Sequence, residues 1–279
     1  MRSAAILGCG RMGREHAEAY RELGVPIHSM TDPDHRKAWE LAREFGARAT
    51  EFPMPPPSGD PGYVSVCSWD DSHESYIAEA LERGATVIAE KPLCQTLTGL
   101  TRVATLGGRL ACNLPLRFAF EPSARPYHVQ ADYIWGRADQ LTGWRKECPG
   151  YSFVLGGGVH AADLICRYGR PLHVTAMAND PGEFAAPTVI AASGRFEDGR
   201  TFRMDINCAN IGEHTAHVIE WLPRGRREFR IDGSDKRQTI SEAVLHDRLH
   251  PGFEAHALCF AIERSLSSRQ VERVLYPCG

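Results

Sequence analysis

The stretch "AAILGCGRMGREHAEAY", Ala4 to Tyr20, decides the fold. Gly8, Gly10 and Gly13 stand in it at the spacing G-x-G-x-x-G. The apolar run Ala4–Leu7 before them reads as a strand. Arg11–Leu23 after them carries Met12, Ala19, Tyr20 and Leu23 toward one side and reads as a helix closed by Gly24. Glycines are common in turns, so the spacing gains meaning from its place between a strand and a helix. Gly8 permits a tight turn, Gly10 lets backbone approach a pyrophosphate, and Gly13 allows close helix–strand packing. Arg11 and Met12 open a helix whose free N–H groups suit phosphate. Asp32 follows the second predicted strand, Pro26–Met30, where a carboxylate accepts hydrogen bonds from a ribose diol. That carboxylate repels a 2′-phosphate and favours NAD. His35 and Arg36 could meet such a phosphate and leave NADP possible.

The pattern continues outward. Asp34–Phe45 reads as a second helix with Gly46 beyond it, Tyr63–Cys67 as a third strand and Thr86–Ala89 as a fourth. "EFPMPPPSGDPG" is too rich in Pro and Gly for an element and reads as a loop. Asp71 and Glu74 fit a capping box for the helix ending at Gly84. Repeated strand–helix–strand units imply a parallel sheet with right-handed crossovers. The character changes near Pro115. A helix is expected at Gly158–Arg167, then alternating segments "LHVTAMA", "PTVIAASGRF", "TFRMDINCAN", "HTAHVIEWL" and "REFRIDG", then a helix at Gly252–Ser265. The expected organisation is α/β, with a dinucleotide-binding domain over 1–115 and an α+β domain with a mostly antiparallel sheet over 116–279.

The bulk composition excludes several classes. The 279 residues are 43% hydrophobic and 24% charged with a formal net charge of −3, which is ordinary globular protein and gives no electrostatic footprint for nucleic acid. No run approaches the ~18–20 apolar residues of a membrane span. The N-terminus lacks the charged leader and apolar core of a signal peptide, so a cytoplasmic location is expected. The nine cysteines include no C-x-x-C pair, no metal site is expected, and most of the thiols read as reduced core residues.

"VIAEKPLCQTLTG", Val87–Gly99, resembles the strand-end motif of the Gfo/Idh/MocA oxidoreductases. The resemblance extends through "LGCGRMGREHAEAY", "DPDHRKAWELAREFGA", "DDSHESYIAEALERGATVIAEKPL", "CNLPLRF" and "GGGVHAADLICRYG". It implies an N-terminal Rossmann domain and a C-terminal α+β domain whose large open sheet packs against another subunit in a homo-oligomer. It further implies an NAD(P)-dependent oxidoreductase passing hydride between nicotinamide and a secondary alcohol or ketone of a sugar, cyclitol or sugar derivative.

The resemblance assigns Lys91, of Glu90-Lys91-Pro92, to the reacting oxygen as polariser or proton-transfer group, with a cis Lys91–Pro92 bond. It assigns Cys67, Ser68, Trp69, His73, Glu90 and Asn113 to the nicotinamide side of the cofactor. The usual Thr-Pro pair is replaced by Trp69-Asp70. In the second domain His160 is the expected acid/base, with Asp163 three residues on, on the same helix face, orienting its ring or binding substrate. The glycines at 156–158 are expected to let a ligand approach the backbone. Gly156 stands where many members carry an aspartate. Trp144, Arg145 and Lys146 are candidate cleft residues, and Arg117 reads as structural. Two other readings stay open: a catalytically impaired nucleotide-binding regulator, and a redox-neutral enzyme that retains its NAD.

Overall fold

The computed structural model describes residues 2–50, 62–143, 145, 151–180, 182, 184, 186–209, 211–233 and 235–277. The predicted loop at 51–62 lies outside these except for Gly62. The chain forms two compact units. The first joins Met1–Pro115 to Asp235–Gly252; the second joins Leu116–Ser234 to Phe253–Pro277.

In the first unit, strands β1 (Ala4–Leu7), β2 (Ile27–Thr31), β3 (Arg48–Ala49), β4 (Tyr63–Val66), β5 (Thr86–Ala89) and β6 (Arg109–Cys112) alternate with helices α1 (Arg11–Glu22), α2 (His35–Phe45), α3 (His73–Glu82) and α4 (Leu97–Leu106). The strands form one parallel sheet in the order β3-β2-β1-β4-β5-β6. The strands β1, β4 and β5 are buried at every residue, because helices cover both faces of such a sheet. Order reverses between β1 and β4, and the crevice at the strand ends there is where open α/β sheets bind ligands. Ala4, Ile6, Tyr20, Met30, Ile88 and Ala111 are core, joined by Ile240 and Ala243 of a helix at Gln238–His246. Arg237, at the start of that helix, pairs with Glu15, Glu18 and Glu22 along α1.

Two local expectations change. Asp71 does not cap α3: the cap position is Ser72, whose hydroxyl lies 2.7 Å from Ser68 Oγ and 2.8 Å from the Trp69 carbonyl. Helix α4 forms from "LTGLTRVATL", a weak helix former, because Thr96 accepts from the Gly99 amide and Leu100 and Val103 are buried.

In the second unit, β7 (His128–Arg137), β8 (Pro171–Ala178), β9 (Val189–Phe196), β10 (Thr201–Asn207), β11 (Ile211–Leu222), β12 (Gly225–Asp232) and β13 (Glu272–Arg273) form a sheet in the order β12-β11-β7-β10-β9-β8-β13. All its pairs are antiparallel except β7 with β10. Burial alternates along β7 and β10, so one face is covered and the other carries exposed or half-buried side chains. Helices α5 (Ala138–Thr142) and α6 (Val159–Cys166) and the helix Phe253–Ser268 complete the unit. The fold class read from the sequence holds: a parallel nucleotide-binding sheet and a second, mostly antiparallel one. Residues 235–252 return to the first unit, where a contiguous second domain over 116–279 was expected.

Candidate active site

Pairing aligns the ends of four strands in the first unit: Leu7 opposite Val66, Val66 opposite Ala89, and Ala89 opposite Cys112. The next residues, Gly8, Cys67, Glu90 and Asn113, therefore form a row at the carboxyl edge of the sheet. Hydrogen bonds hold the row: Cys67 N donates to Leu7 O (2.7 Å), Glu90 N to Val66 O (2.8 Å) and Asn113 N to Ala89 O (2.8 Å).

The glycine loop turns at Gly8, whose φ of 95° favours glycine. A Cβ at Gly13 would strike the Gly8 carbonyl, whereas one at Gly10 would meet nothing within 4 Å. Gly10 thus faces the open mouth of the loop, as a pyrophosphate requires. Arg11 is exposed and Met12 half-buried at the helix start. Asp32 ties the loop to β2: its Oδ2 accepts from Cys9 N and its Oδ1 from Asp34 N, both at 2.8 Å. A carboxylate offers about four acceptor positions, so capacity remains for a ribose diol. Arg36 pairs with Glu40 (2.8 Å) and Lys37 with Asp34 (3.8 Å). Loop, helix start and carboxylate fit a dinucleotide.

His73 is buried. Its Nδ1 lies 2.6 Å from the Pro92 carbonyl and its Nε2 3.0 Å from the Ser68 carbonyl, so it braces two loops at the sheet edge. The Lys91–Pro92 bond between them is cis, as expected. Trp69 is 59% exposed.

Glu90 is 7% exposed. Its Oε1 accepts from Asn113 Nδ2 (2.6 Å) and lies 3.3 Å from His16 Nε2. His16 Nδ1 is 2.9 Å from Ser65 Oγ, which is 3.0 Å from the Tyr20 hydroxyl. Burial pushes the Glu90 carboxyl up, but the hydrogen bond and charge of His16, the Lys91 ammonium and the Asn113 amide outweigh it and bring it down to about 2. Neither His16 nor Ser65 stands out in the sequence, and Tyr20 reads there only as part of the apolar side of α1. The available signal was a histidine four residues before Tyr20 on the apolar face of α1.

In the second unit, His160 sits at the start of α6, its ring 5.5 Å from the Tyr133 ring, whose hydroxyl is 3.4 Å from His214 Nε2. Asp163, 2% exposed, accepts from Arg117 Nη1 at 3.0 Å. Burial raises its carboxyl to about 6 against the pull of Arg117 and Arg167. An acid raised in the fold contributes stability that is full below its unfolded value near 4 and is lost as pH rises through about 6. Two pK units correspond to about 3 kcal/mol, so Asp163→Asn should gain stability over the native chain between pH 4 and 7. Thermal unfolding at both pH values checks this; an equal difference at both would remove Asp163 as the cause.

The glycines at 156–158 serve packing. They lie buried in a π-helical turn, Val154–Gly158. A Cβ would come 2.9 Å from the Tyr151 hydroxyl at Gly156 and 2.7 Å from the Phe153 ring at Gly157, and would overlap Ile206 at Gly158. The chain's own side chains fill the space that a Cβ would take at each of the three. The Arg145 guanidinium lies 4.9 Å from the Tyr151 ring centre and 5.1 Å from that of Trp135. Trp144 and Lys146 lie outside the described residues. Among the described residues no three His, Cys, Asp or Glu side chains gather as metal ligands, and no helix is long and apolar enough to cross a membrane.

The loop, the acidic strand end and the switch-point edge define a dinucleotide-binding Rossmann unit. Residues 2–114 match the family model described as "Oxidoreductase family, NAD-binding Rossmann fold", and this part of the chain is an NAD-binding domain of the Gfo/Idh/MocA oxidoreductases. Among curated relatives, inositol 2-dehydrogenase 2 of Saccharopolyspora erythraea is 30% identical over 192 residues, 63% of this chain and 56% of that protein. Inositol 2-dehydrogenase/D-chiro-inositol 3-dehydrogenase of Lacticaseibacillus casei is 31% identical over 105 residues, 35% of this chain and 30% of that protein. The matches thus span about half and about a third of these relatives' lengths. Among solved structures, GenD2 from gentamicin A biosynthesis in complex with NAD superposes with TM-score 0.80 at 19% identity, covering 98% of this chain and 96% of that one. A myo-inositol dehydrogenase from Corynebacterium glutamicum superposes with TM-score 0.79 at 15% identity, covering 99% of each chain. These two likenesses establish the fold.

Proposed function

We propose that this chain is an NAD-dependent oxidoreductase interconverting a secondary alcohol and a ketone on a sugar, cyclitol or sugar derivative. One observation carries the reading: Glu90-Lys91-Pro92 stands at the switch-point edge in line with the nucleotide loop, with Glu90 buried in a hydrogen-bonded network. The inositol dehydrogenases among the relatives support the cyclitol class. Lys91 polarises the reacting oxygen and His160 moves the hydroxyl proton. The cofactor, when bound, supplies the hydride acceptor at its nicotinamide ring. Asp163 acts behind His160, held by Arg117. Gly8, Gly10, Arg11, Met12 and Gly13 cradle the phosphates, and Ser68, Trp69, His73, Glu90 and Asn113 shape the nicotinamide side.

Asp32 selects NAD. Asp32→Ala should lower the ratio of NADPH to NADH dissociation constants at least about tenfold, since an acceptor for the diol and a repulsive charge go together. Fluorescence titration with both nucleotides reads the ratio, and an unchanged value would remove Asp32 from selection.

The open face of the second sheet, with Met177 73% exposed, is the proposed surface for a second copy. The cytoplasm is the proposed location, because no disulfide joins the seven described cysteines. The decisive experiment incubates the protein with NAD+ and a panel of inositols and aldoses and follows NADH absorbance. Turnover supports the reading. Tight nucleotide binding without turnover favours the regulatory alternative, and NAD retained through purification favours the redox-neutral one.

A further inference from the structure

We propose that Arg145 is an oxyanion-binding residue of the substrate site, so that the sugar or cyclitol derivative handled there carries a carboxylate or a phosphate. This rests on the oxidoreductase reading above, with His160 at the reacting hydroxyl, and it names the substrate class within that reading.

Arg145 lies in the second unit, half-buried, just after α5. Its guanidinium carbon stands 5.1 Å from the ring centre of Trp135 and 4.9 Å from that of Tyr151. Its Nε donates to Gln140 Oε1, on α5, at 3.3 Å. An aromatic ring meets a cation with its negative face, so the two rings hold the guanidinium plane and the amide fixes its rotation within that plane. None of these three neighbours carries a charge that balances the cation. A guanidinium held in this way recognises a ligand through the fork of its Nη groups, whose N–H bonds lie in the plane.

The same wall carries His160. Tyr133 and Trp135 stand on the covered face of β7, and the Tyr133 ring is 5.5 Å from the His160 ring. Phe153 packs beside Trp135 with ring centres 5.7 Å apart. Tyr151 takes the space beside Gly156, in the π-helical turn that runs directly into α6 and His160. Arg145 is therefore anchored to the two elements that position the imidazole.

The fork of a guanidinium matches two acceptor oxygens of one carboxylate or one phosphate. A hydroxyl of a neutral sugar also accepts from it, but a hydrogen bond between two charged groups is about twice as strong. Half-burial widens the difference. A guanidinium partly withdrawn from water gains more from an anion than one in bulk solvent does. The competing reading is that the side chain only covers the two rings with its stem. Such a role affects acidic and neutral substrates alike.

The test compares two pairs of compounds that differ by one anionic group: glucuronate with glucose, and an inositol monophosphate with its parent inositol. For each compound kcat/KM is measured with NAD+, and its dissociation constant is measured for the NADH-bound protein. In the native chain the acidic member of at least one pair should be favoured about thirtyfold over the neutral member by either measure. Which pair does so tells carboxylate from phosphate. Arg145→Gln should bring that ratio close to one. Arg145→Lys keeps the charge but loses the fork and should lower the ratio about fivefold. Gln140→Leu removes the in-plane anchor and should lower it about threefold. If Arg145→Gln does not fold, as judged by circular dichroism, the other two variants carry the test. A packing role alone would lower both members of a pair together and leave the ratio at its native value; that result overturns the proposal. Native ratios near one for both pairs overturn it too, and turnover of the neutral members then leaves the oxidoreductase reading standing. An acid-over-neutral affinity that falls with Arg145→Gln, with none of the four compounds turned over, supports the Arg145 site and overturns the oxidoreductase reading instead.

Discussion

Lys91→Met is expected to lower turnover about a thousandfold while leaving NADH affinity within about threefold. A donor aimed at an oxygen that gains charge in the transition state is worth far more there than in the ground state, and losing one such donor costs about a hundred- to a thousandfold. Methionine keeps the length and apolar stem of lysine, so the packing at the cis Lys91–Pro92 bond and its His73 brace is retained. The nucleotide loop is made by different residues, at Gly8 to Gly13, and is untouched. Steady-state rates with the best polyol of the substrate panel, beside NADH titration, check both halves. Unchanged turnover removes Lys91 from the chemistry; loss of NADH binding in proportion to turnover makes it a binding residue only.

Gly13→Ala is expected to destabilise the first unit by about 3 kcal/mol and to abolish measurable nucleotide binding. The added methyl falls on the backbone carbonyl of Gly8 and 3.5 Å from the Ile6 side chain. Neither can retreat easily. Gly8 N is bonded to Thr31 O at 2.7 Å, and the next amide, Cys9 N, to Asp32. Relief therefore requires the helix start to lift from the sheet, which takes the phosphate-facing N–H groups with it. Gly10→Ala is the control. A Cβ there touches nothing within 4 Å, so stability should stay within about 0.5 kcal/mol of native while nucleotide affinity falls, because the methyl occupies space the pyrophosphate needs. Denaturant unfolding and NADH titration on the two variants separate the effects. Equal stability of Gly13→Ala and the native chain would mean that the turn is looser than its hydrogen bonds indicate.

The sequence by itself determined the nucleotide loop and the elements that flank it. Strand, glycine loop, helix and acidic strand end are near neighbours along the chain, and each is specified by local rules: apolar runs for buried strands, glycine where φ is positive, and a carboxylate after β2. The same locality made "TFRMDINCAN" and "REFRIDG" readable as strands. The long strand β7 and the weakly helical α4 were missed. The first pairs in parallel with a partner 73 positions on, and the second is held by burial of Leu100 and Val103, which local propensity does not register. What only the tertiary structure decided is who stands beside whom. His16 reaches Glu90 across 74 positions, Arg117 takes Asp163 across 46, and residues 235–252 return to the nucleotide-binding unit. Tyr151 takes the space that a side chain at Gly156 would need. The physical reason is the same in each case. Backbone conformation is set over a few residues, but the charge state and orientation of a buried side chain depend on whatever the fold brings within hydrogen-bonding distance, and spacing in the sequence carries no record of that.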